Sequence, residues 1–288
     1  FNELDGIEFY EQISMIKGGI FFADKIMAVS PNYAREILTP DFGCGMEGAL
    51  MKREEDLVGI ANGIDTDVWN PKTDTHLPAN YSAKDLSGKA ICRKALLEEL
   101  GLTDTDKPVF GMVCRLTEQK GVDLLLKQMN FFIKNDCRLA ILGTGEPTYE
   151  RSLKRWAKSH PDKIGICIGL DERMSHLVEA GSDFFLMPSV FEPCGLNQMY
   201  SQRYGNLPLV SDVGGLHDTV IDFRENEDTG TGMRFEPTEE AFKEALKASL
   251  ALFADKASYG KAQANCMNRD FSWSNVVKGY EDLYAESV

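Results

Sequence analysis

Phe184-Phe185-Leu186-Met187-Pro188-Ser189-Val190-Phe191-Glu192-Pro193-Cys194-Gly195-Leu196-Asn197-Gln198 is the stretch whose reading decides the rest of this chain. Its first four residues form a short, unbroken apolar run, which reads as a strand buried on both faces. Pro188 and Pro193 stiffen the loop that carries Glu192. Gly195 lets another group approach the backbone closely, and a helix-like run begins near Leu196. A carboxylate held at a strand's C-terminal end, just before a helix N-terminus, suits a ligand that carries hydroxyls and phosphates together. The acid accepts from sugar hydroxyls, and the helix amides favour an anion. The same residues also read as a plain strand–helix turn with an exposed Glu, and the loop alone does not separate the two.

Outward from this stretch the pattern repeats. Strand-like runs at 109–114, 139–142, 164–168 and 207–210 alternate with helical ones. Val122, Leu125, Met129 and Phe132, widened by Leu126 and Ile133, predict one helix. Residues 149–159 and 174–180 predict two more, and a helix follows the opening loop toward Tyr204. Phe242, Ala245, Leu246, Ser249, Leu250 and Phe253 form the face of a late helix. Such alternation predicts an α/β fold, a Rossmann-like parallel sheet with helices on both faces, whose ligands bind beyond the strand C-terminal ends. The first hundred residues differ. Residues 8–22 read as an apolar helix and 25–29 as a short strand. Ser30-Pro31 reads as an N-cap with Pro at the first helical position, leading into 32–38. Residues 57–60 are a short strand ending at Asn62-Gly63-Ile64-Asp65. The polar stretch 73–87 reads as a linker, and 89–100 as a helix stopped by Gly101.

Composition bounds the function. The 288 residues carry 43% apolar and 26% charged side chains, ordinary for a globular protein. A net charge of −14 argues against nucleic acid or an anionic membrane as partner, while leaving a small anionic ligand open. No apolar run approaches the roughly 20 residues of a membrane span. The first residue is Phe1, which begins neither a start site nor a signal peptide, so the true N-terminus is expected upstream. Seven cysteines (44, 92, 114, 137, 167, 194 and 266) form no C-x-x-C pair, which favours a reducing, cytoplasmic compartment. The four histidines are dispersed, and no metal site is expected.

Other candidate residues sit at strand ends. Arg115 and Lys120 bracket the loop after the 109–114 strand, where two cations would neutralise a diphosphate; a solvated basic loop is the plainer reading. Gly214-Gly215-Leu216 lies at a strand–helix junction and reads either as a close-approach site for phosphate or sugar or as a tight turn. Gly143-Thr144-Gly145 is not a dinucleotide fingerprint, since position 148 is Thr. Asn62-Gly63 is a turn signal. Trp69, Trp156 and Trp273 read as packing residues, and no nucleophile elbow is present.

Taken together and in this order, these segments resemble the glycogen and starch synthase family of retaining glycosyltransferases. The resemblance rests on Gln12-Ile13-Ser14, Ala28-Val29-Ser30-Pro31-Asn32-Tyr33-Ala34-Arg35-Glu36-Ile37 and Asn62-Gly63-Ile64-Asp65. It continues through Arg115-Leu116-Thr117-Glu118-Gln119-Lys120-Gly121, Phe191 to Gln198, Gly214-Gly215-Leu216 and Asp270-Phe271-Ser272-Trp273. Related retaining enzymes carry a second Glu eight positions after the first; here Tyr200 stands there, as in the glycogen and starch synthases. The resemblance implies a GT-B fold of two facing Rossmann-like domains, of which 1–72 is a remnant of the N-terminal one. Residues 73–106 would be a linker and helix, 107–270 the C-terminal nucleotide-sugar domain, and 271–288 a crossover helix returning to the N-terminal side.

The implied reaction moves glucose from a nucleotide sugar, ADP-glucose, to the non-reducing end of an α-1,4-glucan with retention and without metal or cofactor. Arg115 and Lys120 would hold the diphosphate and Glu192 the donor glucose. Asn62, Cys194, Gly195, Gly214 and Gly215 would stand nearby, and the backbone of Leu196 and Asn197 would cap the phosphate. The acceptor would bind through the absent N-terminal domain, so the chain alone is expected to bind donor without turnover. A related retaining enzyme with a small acceptor is the alternative. Leu170 stands where some members place a Tyr on the adenine, which weakens the case for ADP-glucose over UDP-glucose. The setting is cytoplasm, or a plastid if the source is a plant or alga. Val276, Val277, Tyr280, Leu283 and Tyr284 form a stripe expected to pack on Ile13, Ile16, Ile20 and Phe21. The terminal segments, left partly uncovered, are expected to promote self-association.

Overall fold

The computed structural model describes residues 6–286. Residues 1–5 of the expected N-terminal remnant and 287–288 of the expected crossover helix lie outside the described residues. The chain opens with β1 (Glu8–Phe9) and β2 (Gln12–Ile13), an antiparallel hairpin, and α1 (Met15–Phe22). This corrects the single helix expected over 8–22. Tyr10 and Glu11 take positive φ values of 50° and 63°, and Ser14 caps α1 by accepting from the Lys17 amide at 3.2 Å. A strong N-cap inside an apolar run moves the helix start past it. Then follow β3 (Ile26–Ala28), α2 (Pro31–Glu36), α3 (Glu47–Met51) and β4 (Leu57–Gly59), with β3 and β4 paired in parallel. Ser30 caps α2 with Pro31 at the first helical position, as expected.

After α4 (Ser87–Glu99) comes the main unit: β5 (Val109–Leu116), α5 (Val122–Lys127), α6 (Met129–Lys134), β6 (Arg138–Gly145), α7 (Pro147–Ser159) and β7 (Ile164–Ile168). It continues with α8 (Glu172–Gly181), β8 (Phe184–Met187), α9 (Asn197–Arg203), β9 (Leu207–Ser211), α10 (Gly214–Thr219) and β10 (Met233–Phe235). The chain closes with α11 (Glu239–Ala254), α12 (Lys256–Met267) and α13 (Trp273–Glu286). The expected helix over 122–133 is two helices, broken at Gln128. That side chain is buried and reaches the Glu239 carbonyl at 3.4 Å, while its amide closes a tighter turn onto Leu125.

Six parallel strands run in the order β10-β9-β8-β5-β6-β7. From β5 the chain builds outward in one direction through β6 and β7, then returns to the other side with β8, β9 and β10. The order therefore reverses between β5 and β8, the place where such sheets bind ligands. β5 and β6 pair along their whole length, to Leu116 opposite Gly145, whereas β5 and β8 pair only at Phe110–Phe184 and Gly111–Phe185. The two neighbours splay beyond that point and open a crevice at their C-terminal ends.

Alternating strand side chains feed two cores. One holds Phe110, Met112, Leu139, Ile141, Phe184 and Leu186 against α5, α6, α11 and α12. The other holds Val109, Ala140, Leu142, Phe185 and Val210 with Cys92, Leu96 and Leu97 of α4. The 73–106 stretch is thus not a tether. Lys89 is buried and donates to the Ala180 and Tyr204 carbonyls, each at 3.0 Å, and to Asn206 Oδ1 at 2.7 Å. Burial lowers its pKa to about 8. At the other terminus, the Ile64 amide donates to the Phe271 carbonyl at 2.8 Å, and Gly63 lies against Trp273 and Gly279 near Ile60. The last helix does approach the N-terminal segment, but along 60–64. Ile13 and Ile16, its expected partners, are each 72% exposed. No helix of the described residues is long and apolar enough to cross a membrane.

If α4 belongs to the core, Leu96→Ala, at a fully buried position, should cost about 2–5 kcal/mol in urea unfolding. A loss below about 0.5 kcal/mol, the scale of a surface substitution, would place α4 outside the core.

Candidate active site

The crevice between β5 and β8 is a cavity of about 340 Å³ lined by Met112, Val113, Cys114, Arg115, Leu186 and Met187 from the strands, by Lys120, Ser189, Glu192, Gly195 and Leu196 from the loops beyond them, and by Asn197 at the start of α9. The two loops are joined edge to edge. The Val190 amide donates to the Gln119 carbonyl at 2.9 Å, and Gln119 Nε2 to the Phe191 carbonyl at 3.2 Å. Gly121 turns the chain with φ +67°, directly over the Pro188 carbonyl, which a Cβ would strike. Only glycine satisfies both conditions.

This seam brings Lys120 to Glu192. The ammonium pairs with Glu192 Oε2, which also accepts from Ser189 Oγ at 3.2 Å. Glu192 is only 6% exposed, so it is not the ordinary surface acid of the plainer reading. Among the described residues, no donor reaches Oε1. Arg115 is exposed at the rim and held by Gln119 Oε1 at 3.1 Å. Asn197 Nδ2 donates to the Val113 carbonyl at 2.6 Å, tying the start of α9 to β5. Among the described residues the amides of Leu196 and Asn197 have no protein acceptor, and both residues line the cavity along with the two cations.

Four of the expected residues stand behind the wall instead of lining it. Cys194 is buried with Ile64, Met199 and Phe271, and burial pushes its thiol up against an opposing hydrogen bond from the Asn62 backbone. Asn62-Gly63 leads into a parallel bridge between Ile64 and Ser272, with Gly63 packed against Trp273, and is not a free turn. The amide of Gly214 donates to Glu36 Oε1 at 2.8 Å and that of Gly215 to the Glu192 carbonyl at 3.1 Å. Neither glycine amide is open to a ligand. Their lack of a Cβ lets α10 press against the Glu192 and Cys194 carbonyls. Glu36 is a residue the sequence reading passed over as a site element. With Asp218, which accepts from Ser30 Oγ at 2.5 Å and the Asn32 amide at 3.0 Å, it fastens the N-terminal segment to α10.

A second cavity of about 510 Å³ adjoins the first and shares Val113, Cys114, Arg115 and Asn197 with it. It runs past Gly143 and Thr144 to Gly169, Leu170, Asp171 and Glu172 at the ends of β6 and β7. Leu170 is 91% exposed at this edge. The paired cavities together suit a ligand with a polar, anionic middle and a flatter, apolar end.

A model of the glycosyl transferases group 1 family matches residues 97–264, more than half of the chain. The chain belongs to that family. The starch synthase catalytic domain model matches residues 1–52 of this group 1 glycosyl transferase. It is 56% identical over all 288 residues to a glycogen synthase of Opitutus terrae, covering 60% of that protein. It is 47% identical over 283 residues to a glycogen synthase of Cellvibrio japonicus, covering 97% of this chain and 59% of that one. Among solved structures, the catalytic domain of starch synthase IV from Arabidopsis thaliana, bound to ADP and acarbose, superposes with a TM-score of 0.94 at 34% identity, over 99% of this chain and 61% of that one. The resemblance read from the motifs and the GT-B-type fold are borne out. The chain spans about 60% of the length of these relatives.

Glu36 gives this arrangement a test. Burial raises its pKa, against the lowering pull of the Gly214 amide and Asn32. A folded pKa above the unfolded one means the native state binds the proton more tightly, so this contribution is present at low pH and fades as pH rises through the folded pKa. Glu36→Gln keeps an acceptor for Gly214 and should flatten that decline. Glu36→Ala strands the buried amide and should cost about 1–3 kcal/mol. Urea melts of both variants on either side of the carboxylate's titration check this; equal stability of Glu36→Ala and parent would remove Glu36 from the latch.

Proposed function

We propose that this chain is the donor-binding portion of a glycogen or starch synthase, which transfers glucose from ADP-glucose to the non-reducing end of an α-1,4-glucan with retention. The observation that carries the reading is the meeting of Lys120 and Glu192 over one cavity that Arg115 and the unpaired amides of Leu196 and Asn197 also line. The ADP in the Arabidopsis relative and the two glycogen synthases support the donor and the acceptor class.

In this reading the diphosphate lies between Arg115 and Lys120, capped by the two amides, and the nucleoside extends toward Leu170. Leu170 offers an apolar surface to the base in place of an aromatic ring. Glu192, with Oε1 free of protein donors, accepts from glucose hydroxyls and fixes the anomeric carbon. The C1–O bond to the β-phosphate breaks with its electron pair on the leaving ADP, whose charge the two cations take up. The acceptor hydroxyl enters from the same face and passes its proton to a departing phosphate oxygen, which preserves configuration. Glu192 is then a sugar-holding group and not a nucleophile. The acceptor binds chiefly through parts of the longer relatives that this chain does not span, so the chain alone holds nucleotide without turnover. All seven cysteines are free thiols, in keeping with a reducing cytoplasm.

Arg115→Ala and Lys120→Ala should each weaken ADP binding by about 1.5–3 kcal/mol in calorimetric titration. Glu192→Gln, which keeps an acceptor for Lys120, should leave ADP affinity nearly intact and, in a full-length protein, lower turnover by about a hundredfold, the scale of losing a positioning contact. ADP affinity unchanged in both cation variants, or full turnover without Glu192, would refute the assignment.

A further inference from the structure

The histidines are scattered in sequence, but the fold gathers two of them. Glu172 and His176 stand four residues apart on α8 and so share a helix face. His76 comes from the loop ahead of α4. One ligating atom from each of His76, Glu172 and His176 lies within 4.8 Å of the other two. Glu172 borders the second cavity, but the donor reading above gives none of the three a contact with the nucleotide sugar.

The second observation is the state of His176, which is fully buried. Its Nδ1 lies 2.7 Å from Asp74 Oδ2. The Tyr204 hydroxyl donates to that same oxygen at 2.5 Å and lies 3.2 Å from Nδ1. A carboxylate oxygen only accepts, so Nδ1–H donates to Asp74 and the lone pair sits on Nε2. That nitrogen is buried and has no hydrogen-bond partner. The ring cannot turn away to find one, because Trp69 stacks on it at 3.9 Å and 7°. Asp74 also sets the second histidine: its Oδ1 accepts from the His76 amide at 2.8 Å. A buried acceptor without a donor is a cost the fold does not relieve by itself.

We propose that His76, Glu172 and His176 bind a divalent transition metal of the zinc class. Two imidazoles and a carboxylate are a zinc-type donor set, and an imidazole whose other N–H is held by a carboxylate is the orientation metal-binding histidines adopt. Ligand atoms about 2.0–2.2 Å from such an ion stand closer together than 4.8 Å. His76 is half-buried and Glu172 exposed, so these two move inward while His176 stays fixed. The bound ion bridges the loop before α4 to the first turn of α8. The residues leading into that turn, Gly169 to Asp171, line the second cavity. The site thus braces the wall on which the proposed nucleoside would rest and takes no part in the chemistry.

The test is calorimetric titration of ZnCl₂ into chelator-treated, untagged chain, with thermal melts and the visible spectrum of the cobalt form alongside. One zinc per chain is expected, with a rise in Tm. His76→Ala and Glu172→Gln, both at accessible positions, should each weaken zinc at least about tenfold, since losing a ligand costs no less than losing its outer partner. Circular dichroism confirms that both variants stay folded. Substoichiometric uptake by the parent, or equal zinc affinity in the parent and either variant, overturns the proposal.

Discussion

The ion pair between Lys120 and Glu192 is the contact on which the site depends. It joins the loops that leave β5 and β8, neighbouring strands in the sheet, through two residues 72 apart in sequence. A pair this buried is a weak source of stability, because desolvating both charges offsets most of their attraction. Removing one partner is costly, since the other is left charged and enclosed. Such a pair persists for what it places. Here it places a carboxylate and an ammonium on one cavity wall, at the point where the strand order reverses and the sheet itself opens a crevice.

Around that pair the structure is arranged in tiers. The Gln119–Val190 and Gln119–Phe191 hydrogen bonds fix the spacing of the two loops. Behind them, the Glu192 carbonyl accepts from Gly215, and Gly214 in turn donates to Glu36 of the N-terminal segment. Residues far from the cavity therefore set the strain and freedom of the Glu192 loop. On the opposite flank, Asp74, Tyr204 and Trp69 lock His176, and α4 is sealed into the core by Leu96 and the buried Lys89. The segments before β5 thus brace both flanks of the cavity.

Much of this was legible in sequence, for physical reasons. Buried parallel strands such as Phe184–Met187 write themselves as unbroken apolar runs, and Ser30-Pro31 states a helix start outright. Six of the residues lining the cavity, Arg115, Lys120, Glu192, Gly195, Leu196 and Asn197, are legible from the strand ends and loops around them, whereas Ser189, which holds Glu192, is not. What escaped was information held only in three dimensions. The three-residue β10 is too short to show alternation, and α12 carries no clear apolar face. The 73–87 stretch looked like a linker because its polar residues are satisfied at a distance, Asp74 by His176 and Tyr204. Gly214-Gly215 looked like a ligand contact because packing against a carbonyl and approach by a phosphate require the same missing Cβ. The Glu36 latch spans 178 residues and leaves no local trace.

The most direct test of the central claim is a crystal structure of this chain with ADP bound. The account predicts the diphosphate in the β5–β8 crevice, within hydrogen-bonding distance of Arg115, Lys120 and the amides of Leu196 and Asn197, with the adenosine toward Leu170. A diphosphate seated elsewhere, or one in the crevice that touches neither Arg115 nor Lys120, would contradict it.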